Sequence, residues 1–161
     1  MNNNWLADDF WQFSLFHYAN SEVKRLTLLL QNDYSLNVNL LLFCGFLDAH
    51  KRQLSGSQFI ELAKFIALSV EEVERIRALR LDAKSKHSAA YAQLLQQELE
   101  AEKMQQRLII QFCNQTSLGK QSKSNFEHYL ASLESQGAGD LKCIVQQLAE
   151  IISNNQTNSD I

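Results

Sequence analysis

The chain has 161 residues, 45% of them hydrophobic and 20% charged, with 5 glycines and no proline, where average usage would place roughly 8 prolines and 11 glycines. Its 25 Leu, 16 Gln and 12 Asn make a helix-forming composition and exclude a collagen-like, disulfide-rich or wholly disordered chain. A net charge of −3 speaks against a dedicated non-specific nucleic-acid binder, which needs a basic excess for the phosphates.

The first helix is expected over Asp8 to Ala19, with Asp8 and Asp9 in a first turn whose open amides favour carboxylates. Trp11, Leu15 and Tyr18 share one face, and Phe13 and Phe16 widen it. Ser21 reads as the cap of a second helix from Glu22 to Tyr34, with Val23, Leu26, Leu29 and Leu30 at helical spacing. Asn37 reads as the cap of a third, from Val38 to Lys51. This stretch is apolar nearly all round, which predicts a central helix with neighbours on several sides. Ser57 is expected to cap a short helix ending near Ala67. Ser69-Val70-Glu71-Glu72 has capping-box spacing and opens a long helix to Lys86, with Val73, Ile76 and Leu79 inward. A second long helix continues to Phe112, exposing Gln and Glu. Asn125 to Leu133 and Asp140 to Ile152 complete the helices. Ser135 to Gly139 reads as a flexible turn.

Three cysteines, Cys44, Cys113 and Cys143, are odd in number and lack CxxC spacing, so they read as free thiols in a reducing compartment. Cys44 falls in the most apolar helix; Cys113, near a helix end, is read as the more exposed of the two. The amino-terminal residues show no signal-peptide pattern. The longest apolar run, Val38 to Leu47, is about half of the ~20 residues that a membrane span requires. The expectation is a cytoplasmic protein outside the membrane.

Phe10-Trp11-Gln12-Phe13-Ser14-Leu15-Phe16-His17-Tyr18, followed by Asn37-Val38-Asn39-Leu40-Leu41-Leu42-Phe43-Cys44, resembles an uncharacterised proteobacterial family of small all-helical proteins. That family carries a W-x-F-[AS]-L-x-x-Y start and a D-V-N-L-L-L-[FY]-C core segment. The resemblance extends to Val73–Arg80 and to Glu98-Leu99-Glu100-Ala101-Glu102, roughly the first two-thirds of the chain. The family's Asp is Asn37 here, which keeps a helix cap and loses a charge. A Trp expected before the long helix is absent, with Phe65 the nearest aromatic. The resemblance implies a helical fold and no particular mechanism.

Catalytic and metal patterns are missing. His17, His50, His87 and His128 are scattered, without HxxxH, HExxH or the Glu-x-x-His of di-iron bundles. Glu98 and Glu102 share a helix face and read as solvated. There is no G-x-S-x-G elbow, and Gly119-Lys120 lacks the rest of a phosphate loop. No catalytic, cofactor-binding or metal residue is assigned, and no cofactor is expected. Residues 58–76 have the rhythm of a helix-turn-helix, but Glu71, Glu72 and Glu74 stand where DNA phosphates would approach. Arg77, Arg80 and Lys84 form a stripe that fits an anionic or acidic partner, or else a face paired with neighbouring carboxylates such as Glu74 or Asp82. Trp11, Tyr18, Gln31 and Asn39 are candidates for a pocket, or for buried polar groups that fix helix register.

The expected architecture is all-α: one domain over 1–153, a multi-helix bundle around a buried central helix (38–50). Within it, 5–68 form a compact unit, 70–113 a long helical hairpin or bent helix, and 120–153 pack back. Residues 154–161 are expected to be a disordered tail. The leading functional expectation is a non-enzymatic adaptor or regulator that binds another protein or its own copy. A nucleic-acid-associated regulator is the alternative, with nucleic acid unlikely on charge. A small-ligand binder or enzyme with an aromatic-lined pocket is third.

Overall fold

The computed structural model describes residues 3–133 and 139–159, the last three by backbone alone. The helices are α1 (Ala7–Tyr18), α2 (Ser21–Tyr34), α3 (Val38–Ala49), α4 (Gly56–Phe65), α5 (Ala67–Ser85), α6 (Tyr91–Asn114), α7 (Asn125–Ser132) and α8 (Gly139–Ser159). Two short antiparallel strands, β1 (Arg52–Gln53) and β2 (Gly119–Lys120), pair Arg52 with Lys120 and Gln53 with Gly119. The chain is an all-α bundle, and no described helix is long and apolar enough to cross a membrane.

The central helix is α3. It touches α1, α2, α6, α7 and α8, and every residue from Leu40 to Leu47 is buried. Asn37 caps it, its side chain accepting from the Leu40 amide at 3.0 Å. Gly45 lets α8 approach: a Cβ there would stand 3.0 Å from Ile152 Cγ2 and 3.5 Å from Phe13 Cζ. At the heart of the core Phe10 meets Phe43 edge-on and Phe46 at a tilt, and Phe43 and Phe46 are stacked. At the far end of α3, Asp48 Oδ1 accepts from Gln121 Nε2, the Asn125 amide and Asn125 Nδ2, while Oδ2 accepts from Ser124 Oγ. Asn125 is fully buried, and its Oδ1 accepts from the Leu54 amide. This polar knot ties α3, β1 and α7 together.

Several local expectations give way. On α1 the inward residues are Phe10, Ser14 and His17, while Leu15 and Phe16 are exposed; the Trp11–Tyr18 face is turned away from the core. Asn20, not Ser21, caps α2, because its side chain reaches both the Glu22 and Val23 amides. Ser55, not Ser57, caps α4, in a reciprocal box with Gln58. Ser69 is not a cap. A single residue, Ile66, separates α4 from α5, so Ala67 and Ser69 are already helical, and the wider turn of a helix-turn-helix is absent. Leu79 is exposed. Cys113 is buried, its thiol pushed up to about 12 by desolvation, and burial raises the Cys44 thiol as well.

The long segment is a hairpin. α5 packs along α6 more extensively than any other pair of elements. The reversal follows Ser85, where His87 adopts φ 51° and the His87 and Ser88 amides bond back to Lys84 and Ala83 oxygens at 3.2 and 2.9 Å. That is a Schellman ending with histidine where glycine is usual. Helix α8 continues past Ile152 to Ser159, so backbone within the expected 154–161 tail is helical. No Pro or Gly follows Gly139 to stop it, and Gln156 bonds His17 Nε2 at 3.2 Å. Residues 160–161 and most of the 135–139 turn lie outside the described residues.

Candidate functional site

A cavity of about 580 Å³ opens between α1, the α2–α3 turn, α3, α5 and α6. The fold creates it by a mismatch of faces. α1 buries its Phe10–Ser14–His17 side in the core, which leaves Trp11 and Tyr18 half-buried on the flank that faces the hairpin. α5 contributes Val70, Val73 and Arg77, roughly one turn apart.

The cavity's deep end is a network of amides. Gln105 and Gln106 are each only 2% exposed. Gln105 Oε1 accepts from Asn37 Nδ2 at 3.1 Å and Asn39 Nδ2 at 3.0 Å. Gln106 Nε2 donates to Ser14 Oγ at 2.9 Å and Asn39 Oδ1 at 3.0 Å. Gln105 Nε2 reaches Ser69 Oγ at 3.5 Å. Asn39 therefore fixes both glutamines, accepting from one and donating to the other. One atom is left over: Gln106 Oε1 is buried without a partner among the described residues.

The outer end is charged. Arg77 reaches Glu98 at 3.5 Å and Glu102 at 3.4 Å, and Arg80 also pairs with Glu98. Burial raises the Glu102 pKa above its ordinary value, and the neighbouring Glu98 carboxylate adds to the effect. Burial likewise raises Tyr18, with Glu102 reinforcing it. Lys103 Nζ lies 4.9 Å from the centre of the Trp11 ring.

Two groups of residues that looked separate in the sequence thus line one cavity. Trp11, Tyr18, Gln31 and Asn39 stand on it together with Arg77 and Arg80. Lys84 does not: it is exposed near the end of α5, beside Leu81 and Tyr91. The carboxylates paired with the stripe are not Glu74 and Asp82 on its own helix but Glu98 and Glu102 across the hairpin. Glu98 is correspondingly buried rather than solvated. Sequence reasoning missed Ser14, Gln105 and Gln106 altogether. The available signal was spacing: Glu98, Glu102 and Gln106 recur every four residues, so they form one row along α6.

The arrangement offers donors, acceptors and an apolar wall around a space within the size range of small-ligand sites. The described residues contain no group of three His, Cys, Asp or Glu able to hold a metal. Both buried cysteines lie in the core, with raised pKa values that disfavour the thiolate.

No curated protein and no solved structure matches this chain. A family model does match, over residues 9–109, a span that contains every cavity-lining residue named above. The chain belongs to the family described as Protein of unknown function (DUF2390).

Proposed function

We propose that this protein is a non-enzymatic binding module whose site is the cavity between α1, α3 and the α5–α6 hairpin. The observation that carries the reading is the buried amide network at its deep end, where Asn39 orients Gln105 and Gln106. Buried amides stabilise a fold only when satisfied, and here they are satisfied around an open space while one acceptor remains unused. Such groups are held in fixed orientation before any ligand arrives, which lowers the ordering cost of binding.

The test is a thermal-shift screen of metabolites of every charge type. A ligand at 100 times its Kd adds about 2.7 kcal/mol, or about 5–10 °C for a chain of this size. Absence of any stabilising compound contradicts the reading.

A second reading, an adaptor that binds another protein, draws on a different surface. Leu68 is 82% exposed, and Leu79, Leu81 and Leu95 are exposed along the hairpin. Charge reversal at Arg77 and Arg80 is a poor probe of it, since those arginines hold the hairpin through Glu98. Leu81→Lys with Leu95→Lys is the suitable variant. A partner that binds this variant as well as wild type speaks against the adaptor reading.

A further inference from the structure

We propose that the cavity selects a ligand with an ammonium head on an apolar or aromatic body, the head lying toward Glu102 and Gln106 and the body along Trp11 and Val73. This rests on the binding-module reading and specifies the chemistry of the same site.

Three independent observations support it. First, the cavity's charges do not cancel. The cavity lining holds Arg77 and Arg80 with Glu74, Glu98 and Glu102, three carboxylates against two guanidiniums, while the exposed Lys103 over the Trp11 ring is not among the lining residues. Both guanidiniums are already engaged with Glu98. A ligand anion would have to displace a carboxylate to reach them, whereas a cation finds one in excess. Second, Glu102 is under-used. A carboxylate has about four acceptor sites, and the only partner of Glu102 among the described residues is Arg77 at 3.4 Å. Its side chain remains one-third exposed, within a ligand's reach. Third, Gln106 Oε1 lacks a donor although its residue is 98% buried. Residue 106 stands one helical turn, about 6 Å of rise, beyond residue 102 on the same face of α6. A missing donor beside a spare carboxylate matches an ammonium group, which carries N–H donors and no acceptor. The walls suit the rest of such a molecule: Trp11, Leu15, Leu42 and Val73 are apolar, and an aromatic body can stack on the indole.

The experiment uses the full-length chain and three probes with one indole body: tryptamine, tryptophol and 3-indolepropionate. Binding is followed by NMR at the Trp11 indole N–H and quantified by calorimetry. Tryptamine is expected to bind at least 10-fold more tightly than tryptophol, with 3-indolepropionate weakest. Glu102→Gln should bring tryptamine to within about 2-fold of tryptophol and leave tryptophol unchanged. Arg77 keeps Glu98 in that variant, so the hairpin is retained. Tryptophol or the propionate binding as tightly as the amine overturns the ammonium assignment and leaves the cavity as a binding site. Unchanged tryptamine affinity in Glu102→Gln overturns it as well. No response to any of the three also ends the ammonium proposal, and the screen of all charge types then decides the wider reading separately.

Discussion

Asn39 and Glu98 show how single residues set the site. Asn39 stands in the first turn of an apolar helix, where a buried amide must find partners or cost about 1–3 kcal/mol. It finds them on α6, in Gln105 and Gln106, and so holds α3 and α6 in one register. Glu98 does the same for the hairpin by receiving both Arg77 and Arg80. Removing its charge leaves two partly buried guanidiniums short of a partner, so Glu98→Gln is expected to destabilise by about 1–3 kcal/mol. Arg75→Gln, whose exposed pair with Glu72 lies on the helix surface, should leave stability essentially unchanged. Denaturant melts of both variants check the contrast.

His17 is one residue through which pH acts on the fold. It is fully buried against Phe13 and Phe16, with Nε2 on Gln156 and Nδ1 without a partner among the described residues. Desolvation holds its pKa below 6.5, and the Gln156 bond offsets this only in part. Between the lowered folded value and 6.5 the unfolded chain binds more protons than the folded one. Stability therefore falls as pH drops through that window. Thermal melts of wild type and His17→Gln across about pH 5 to 8 should show the pH-dependent loss in wild type and a flatter profile in the variant. Equal profiles would remove His17 from the account.

At the scale of elements, caps and helix ends decided which parts of the fold were legible. Asn37 and the apolar run behind it predicted α3 correctly in position and in its central role, because a helix apolar all round has only one place to go. The starts of α2, α4 and α5 were misplaced. In each case a Ser/Glu or Ser/Gly pattern suggested one cap while the nearest preceding polar residue, or none, took the role. Helix ends were harder still. Ser35, Lys51 and His87 turn the chain with positive φ and no glycine, so the usual composition signal was missing. His87→Gly removes the left-handed strain, which is worth about 1 kcal/mol less the added entropy of the unfolded chain. A gain of up to about 1 kcal/mol is expected in a denaturant melt. Destabilisation instead would mean that the histidine ring supports the turn. The Asp48–Asn125 knot was invisible because its members are 77 residues apart and carry no local pattern.

For the whole molecule, the sequence exposed some of the site's members, without Ser14, Gln105 and Gln106, and not their assembly. Aromatic spacing on α1, the asparagine in α3 and the arginine stripe were each visible. That they surround one space depends on how far α5 and α6 stand from α1, a tertiary distance no local period encodes. Pairing of the arginines with carboxylates was legible as an alternative, but the partners were sought on their own helix and lie across the hairpin.

The cavity is the proposed binding site. The most direct measurement is the thermal-shift screen run in parallel on wild type and Val70→Phe, a substitution that puts a ring into the space from its half-buried α5 wall. Compounds that raise the wild-type melting temperature by about 5–10 °C and leave a folded Val70→Phe unmoved are the predicted result. A screen without hits, or hits that stabilise both proteins equally, would contradict it.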